Sequence, residues 1–116
     1  MLLTRFIKFT LLVTLTVLGI DRVCGQDYPN RPIRIVTAEP GGGNDFAARM
    51  IMQGLAGSLG QPVVIENRGG ASGTIAADTV AKAPADGYTL LLYASGIWLI
   101  PFLRAHVPYD PVRDLA

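Results

Sequence analysis

The sequence is short of the side chains that usually carry chemistry. Among 116 residues it has one cysteine, Cys24, one histidine, His106, and one tryptophan, Trp98. His106 stands near a proline-rich segment with no cysteine partner and no metal-ligand spacing, so it reads as a surface or packing residue. Ser95 lies in "YASGI", which is not the Gly-x-Ser-x-Gly elbow of a hydrolase. Neither catalysis, a metal nor a cofactor is expected. Charge is scarce too: 10 basic and 9 acidic residues leave a net +1. That balance argues against nucleic acid or an anionic membrane surface as the main partner. Apolar residues, by contrast, make up half of the chain, enough for the packed core of one small domain.

Residues 1–25 differ from the rest. Arg5 and Lys8 precede an apolar run, 9–20, and Val23-Cys24-Gly25 offers small residues at the minus-three and minus-one positions. This is the layout of a cleaved secretory signal peptide, with a mature terminus near Gln26. The run is too short to cross a bilayer, which needs roughly 20 residues. A lipoprotein signal ending at Cys24 is a rival, but the charged Asp21-Arg22 before it disfavours that reading. The same pair weakens an ordinary cleavage site. Removing residues 1–25 leaves seven basic against eight acidic residues and takes away the only cysteine. The exported part, 26–116, then has no disulfide framework and no thiol chemistry.

Within that part the pattern alternates. "PIRIVTA", 32–38, is a β-branched, nearly continuous apolar run and predicts a strand. Residues 44–59 switch to helical period, with Ala48, Ile51 or Met52, Leu55 and Leu59 on one face. Gly60 and Pro62 mark the stop. "PVVIEN", 62–67, predicts a second strand, and 74–83 a second helix with Ala76, Val80 and Ala83 inward and Asp78 and Lys82 outward. After the turn "PADG", "YTLLLYA", 88–94, predicts a third strand. Strand, helix, strand, helix, strand at short spacing implies an α/β fold with a parallel sheet and flanking helices.

In such a sheet, ligands bind outside the carboxyl ends of the strands. Three loops arrive there, at 39–45, 68–73 and 95–98, and the first two are rich in glycine. "AEPGGGNDF" strips side chains from the backbone just before a helix, whose unpaired N–H groups favour an anion. Such glycines also serve simply as tight turns and caps. A phosphate loop would need Gly-Lys-Ser or Gly-Lys-Thr, but Asn44-Asp45 follows Gly43. A dinucleotide fingerprint would want a small residue where Phe46 stands, although Glu66 ends the second strand where a ribose-binding acid would sit. Asp45 at the mouth would repel a pyrophosphate, and it also suits the N-cap or first turn of the helix. A ligand bearing a carboxylate, with an amine or hydroxyl for Asp45, fits better. Ser95 could donate to that ligand or cap a helix, and Trp98 could wall the cleft or pack in the core.

The ordered segments "YPNRPIRIV", "PGGGND", "LGQPVVIENRGGASGTIAAD", "VAKAPADGYTLLL" and "VPYDPVRD" resemble the receptors of tripartite tricarboxylate transporters, the Bug family. The resemblance implies a periplasmic solute-binding protein with two α/β domains that close on a carboxylate or amino-acid solute for the membrane components of the transporter. It implies that Pro40, Gly41, Gly42, Gly43 and Asp45 in the first loop hold a ligand carboxylate through backbone amides and ordered water. Ala71, Ser72, Gly73 and Thr74 in the second loop, and Ser95 in the third, are implied likewise. Two positions depart from the pattern: Glu39 replaces a small or apolar residue, and Ile100-Pro101 stands where Asn-Pro is common. Glu39 adds negative charge near an anion site, which favours a solute with a cationic or neutral polar group. The resemblance reaches only the N-terminal third of such a receptor, so 26–116 is expected to be an incomplete first lobe that binds its solute poorly by itself. The alternatives are a nucleotide-binding domain of an α/β enzyme, or a truncated product without function.

Overall fold

The computed structural model describes residues 27–115, so the leader and its cleavage site lie outside the described residues. Strand β1, Ile33–Thr37, is the middle of a three-stranded sheet ordered β2-β1-β3, with β2 at Val63–Asn67 and β3 at Thr89–Leu91. Both neighbours run parallel to β1, setting Ile35 against Ile65 on one side and Leu90 on the other. A middle strand covered on both faces must be apolar along its length. Ile33, Ile35, Val36 and Thr37 are accordingly buried, and only Arg34 of the five stays partly exposed.

Three helices follow the loops: α1, Gly43–Leu59, α2, Thr74–Ala81, and α3, Gly96–Leu103. Helix α1 lies on β1 and β2, with Ala48, Met52, Leu55 and Leu59 packed against Ile33, Ile35 and Val63. Met52 takes the inward place at the second turn, while Ile51 is 46% exposed. The helix stops as its glycine predicts: Gly60 adopts φ 64° and its N–H closes on the Ala56 carbonyl.

Two boundaries differ from the sequence expectation. Helix α2 ends at Ala81 rather than Ala83: the Lys82 N–H still takes the Asp78 carbonyl four residues back, but the Ala83 N–H tightens to the Val80 carbonyl three back. Its fully buried residues are Ala76 and Ala77, with Val80 only partly covered. Asp78 and Lys82 do pair, at 2.7 Å. Strand β3 is shorter than 88–94. Its pairing continues through Leu92 N–H to the Val36 carbonyl, after which the Thr37 hydroxyl takes the Leu92 carbonyl at 2.8 Å and the chain leaves the ladder.

Helix α3 contains Pro101, which has no N–H to give the Ile97 carbonyl one turn back. The Tyr109 hydroxyl donates to that carbonyl instead, at 2.8 Å, from a position only 5% exposed. Tyr109, Ile97 and Ala77 form a second buried cluster with Leu91 and Tyr93 beside it. A proline that would leave a hole in the helix is thus tied into the core.

Candidate functional site

All three βα loops leave the sheet at its carboxyl end. The first, after β1, delivers the chain to the start of α1. Gly42 occupies the N-cap in extended geometry, φ −82° and ψ 171°, and makes no side-chain cap. The opening amides of α1, at Gly43, Asn44 and Asp45, have no carbonyl one turn back to bond. Gly41 holds φ +81°, which a side chain rarely adopts, and a Cβ on Gly41 or Gly43 would meet nothing within 4 Å. The glycines at 41–43 are exposed, so bare amides face open space at the positive end of a 17-residue helix.

Asp45 is not part of that open face. It is 4% exposed, and Oδ2 accepts from the Gly41 N–H at 2.9 Å and from Arg49 Nε at 3.0 Å. Its Oδ1 accepts from Asn67 Nδ2 at 2.8 Å. The sequence places this carboxylate at the mouth, available to a ligand amine; the structure turns it inward and uses it to shape the loop. Asn67 was not singled out from the sequence, yet it also donates to the Ala38 carbonyl at 2.8 Å and so ties the end of β2 to both ends of the first loop. Its only signal is a short amide side chain at a strand end, before "RGG".

The hydrogen bonds from Arg49, Gly41 and Asn67 hold the Asp45 carboxyl well below its ordinary value of 3.8. A depressed folded-state pKa means that the stabilisation is complete above the unfolded value and is lost as pH falls below it. Stability of the wild-type protein is therefore expected to fall from about pH 4 downward, and Asp45→Asn to make this acid limb shallower, leaving the part carried by Glu39, Glu66 and Asp114, while lowering stability at pH 7. Urea midpoints across that range check it. Parallel acid limbs in the two proteins would refute the role given to Asp45.

The second loop is bare for a different reason. Glu39 reaches across from the first loop, and its Oε1 accepts from the Gly70 N–H at 2.8 Å. A Cβ on Gly69 would overlap the Glu39 side chain, and one on Gly73 would overlap the Tyr93 ring. Two of these glycines thus admit the protein's own side chains. Between them Ala71 and Ser72 hold φ of 49° and 57°, a region that non-glycine residues pay strain to occupy, before Gly73 at φ 91°. The Thr74 hydroxyl donates to the Ala71 carbonyl at 2.8 Å and fixes the turn 71–73 to the start of α2. In the third loop, Ser95 precedes α3, is exposed, and makes no cap bond with its side chain.

The structure thus gathers Pro40, the glycines 41–43, the strained turn 71–73 with Thr74, and Ser95 at one end of the sheet. Other candidates go elsewhere. Glu66 accepts from Arg34 Nη1 at 2.9 Å and from Arg68 Nε at 2.5 Å, so the acid of a dinucleotide site is engaged in ion pairs. Trp98 is 48% exposed and lines a groove of about 540 Å³ with Phe102, Tyr109 and Val112, which none of the residues 38–45 or 68–74 reaches. His106 is exposed, and among the described residues no cluster of His, Cys, Asp and Glu could hold a metal ion.

Comparison with known proteins gives one consistent picture. The family "Tripartite tricarboxylate transporter family receptor" matches residues 47–116. Protein BugT of Bordetella pertussis is 47% identical over 100 residues, covering 80% of this chain and 29% of BugT. The structure of periplasmic binding protein BugD is 41% identical with a TM-score of 0.69, covering 72% of this chain and 28% of that one. R. palustris Rpa4515 with adipate is also 41% identical with a TM-score of 0.69, covering 73% of this chain and 29% of that one. The chain spans about a third of the length of the curated relatives it matches.

Proposed function

This chain belongs to the tripartite tricarboxylate transporter family of receptors, and we propose that it supplies the anion-holding face of a periplasmic receptor for a small carboxylate. The observation that carries this reading is the open N-terminus of α1: a Cβ on Gly41 or Gly43 would meet nothing within 4 Å, and while Asp45 takes the Gly41 N–H, the opening amides from Gly43 onward have no carbonyl one turn back. A carboxylate placed there meets unpaired N–H groups and the positive helix end without having to displace a side chain. The strained Ala71 and Ser72 of the turn 71–73, and the exposed Ser95, whose hydroxyl caps no helix, would supply further donors around the same rim. Adipate bound to a relative of the same fold supports a small carboxylate as the solute class. Asp45 acts here by holding the loop, not by touching the solute.

No residue at the rim is placed to make or break a covalent bond, so the task is capture and release. The leader at 1–25 would deliver the protein to the periplasm, and the membrane components of the transporter would receive the solute there. In the full-length protein, small dicarboxylates and amino acids are expected to raise the melting temperature, while NAD and ATP leave it unchanged. Ligand at 100 times Kd stabilises by about 2.7 kcal/mol, a shift of several degrees. A shift with NAD and none with carboxylates would favour the nucleotide-binding alternative.

A further inference from the structure

We propose that Glu39 determines the solute class: the receptor selects a carboxylate that also carries a neutral or cationic hydrogen-bond donor over one with two anionic ends. The inference rests on the receptor reading above and narrows it. Two loops at the carboxyl end of the sheet are rich in glycine, and the first, though Asp45 takes its Gly41 N–H, leaves the opening amides of α1 from Gly43 onward without a carbonyl partner. The second is occupied from within. The Glu39 side chain lies against Gly69 so closely that a Cβ there would overlap it, and its carboxylate takes the Gly70 N–H at 2.8 Å. The place where a second solute carboxylate would find a free amide therefore already holds a carboxylate of the protein.

That carboxylate is charged and uncompensated. Its own backbone amide and then the Gly70 amide hold Glu39 below its ordinary 4.5, so it is ionised at neutral pH. Among the described residues no ion pair reaches it: Arg49 serves Asp45, while Arg34 and Arg68 serve Glu66. A carboxylate accepts about four hydrogen bonds, and these two amides use at most two. Glu39 is exposed at the rim, beside the exposed glycines of the first loop, and the phenol of Tyr93, just past β3, is pushed up mainly by burial and further by the Glu39 charge. A solute seated on the α1 amides with a second anionic group near Glu39 meets repulsion. A solute with an amide, hydroxyl or ammonium there meets an acceptor.

Matched pairs of solutes test this, because each pair differs by one charge at constant shape: succinate with succinamate, and adipate with adipamate. Calorimetry on the full-length wild-type protein is expected to show the monoamide of each pair binding at least tenfold tighter. Glu39→Gln keeps an acceptor for Gly70 and is expected to bring the ratio to unity or reverse it, with the dicarboxylate gaining tenfold or more. Glu39→Ala, which removes both charge and acceptor, should gain on the dicarboxylate in the same way. A wild-type preference for the dicarboxylate overturns the proposal. So does a ratio that changes less than twofold in both variants, which would leave Glu39 as a strap between loops. Absence of saturable binding by all four solutes in all three proteins, together with no thermal shift by amino acids, would instead overturn the receptor reading, and this inference with it.

Discussion

Replacing Gly42 by Val is expected to abolish carboxylate binding while leaving the fold intact. The position is unusual in allowing the two effects to be separated. Its backbone, φ −82° and ψ 171°, suits a β-branched residue, and a Cβ there would only touch the Glu39 carbonyl at 3.5 Å. The fold should lose at most about 1 kcal/mol, the difference between glycine and an aliphatic residue at an N-cap. Binding should lose far more, because the isopropyl group stands over the first amides of α1 and the solute carboxylate can no longer approach them. Two charge-assisted hydrogen bonds at roughly 1.5–3 kcal/mol each correspond to about a hundredfold or more in affinity. Calorimetry and urea denaturation on the same preparation measure both quantities. Full affinity in a well-folded Gly42→Val protein would remove the α1 amides from the site.

The choice of Gly42 shows what a sequence can and cannot disclose about such a loop. That three adjacent glycines precede a helix is legible, and so is the inference that the backbone must be bare. Period and stop signals locate β1, α1 and β2 to within a residue or two, because a buried middle strand and an amphipathic helix impose different spacings on the same apolar residues. Whether bareness serves a ligand or the protein itself is not legible. It depends on partners far along the chain: Glu39 fills the space over Gly69, 30 positions later, and Tyr93 fills the space over Gly73 from the segment that follows β3. Both pairings follow from the parallel sheet setting three loop starts side by side, which no local window contains. Asp45 shows the same limit. Its place in the first turn of α1 is readable, but its inward direction is decided by Asn67 at the end of β2, 22 residues away. The early departure of β3 is likewise set by a cross-strand bond from Thr37, not by the run of leucines that suggests a longer strand.

The internally filled loop leads to the other large effect, on stability. Gly73→Ala is expected to be severely destabilising although it adds one methyl group. Two costs coincide. Gly73 holds φ 91°, which alanine adopts only with strain of roughly 1–2 kcal/mol. The new Cβ would also overlap the Tyr93 ring, which packs against the buried cluster of Ala77, Ile97 and Tyr109. Overpacking of that kind costs typically about 1–3 kcal/mol, for a total near 2–5 kcal/mol. Against a usual stability of about 5–15 kcal/mol that is a large share. The two parts can be separated with Tyr93→Ala. In the Gly73→Ala, Tyr93→Ala double variant the overlap disappears and only the backbone strain remains, so the coupling energy should come out favourable by about the overpacking cost. Equilibrium urea denaturation of the four proteins supplies the cycle. A Gly73→Ala variant within about 0.5 kcal/mol of wild type, the range of an innocuous surface change, would mean that the ring is free to move off the glycine. An additive cycle would mean that backbone strain alone makes glycine necessary at this turn.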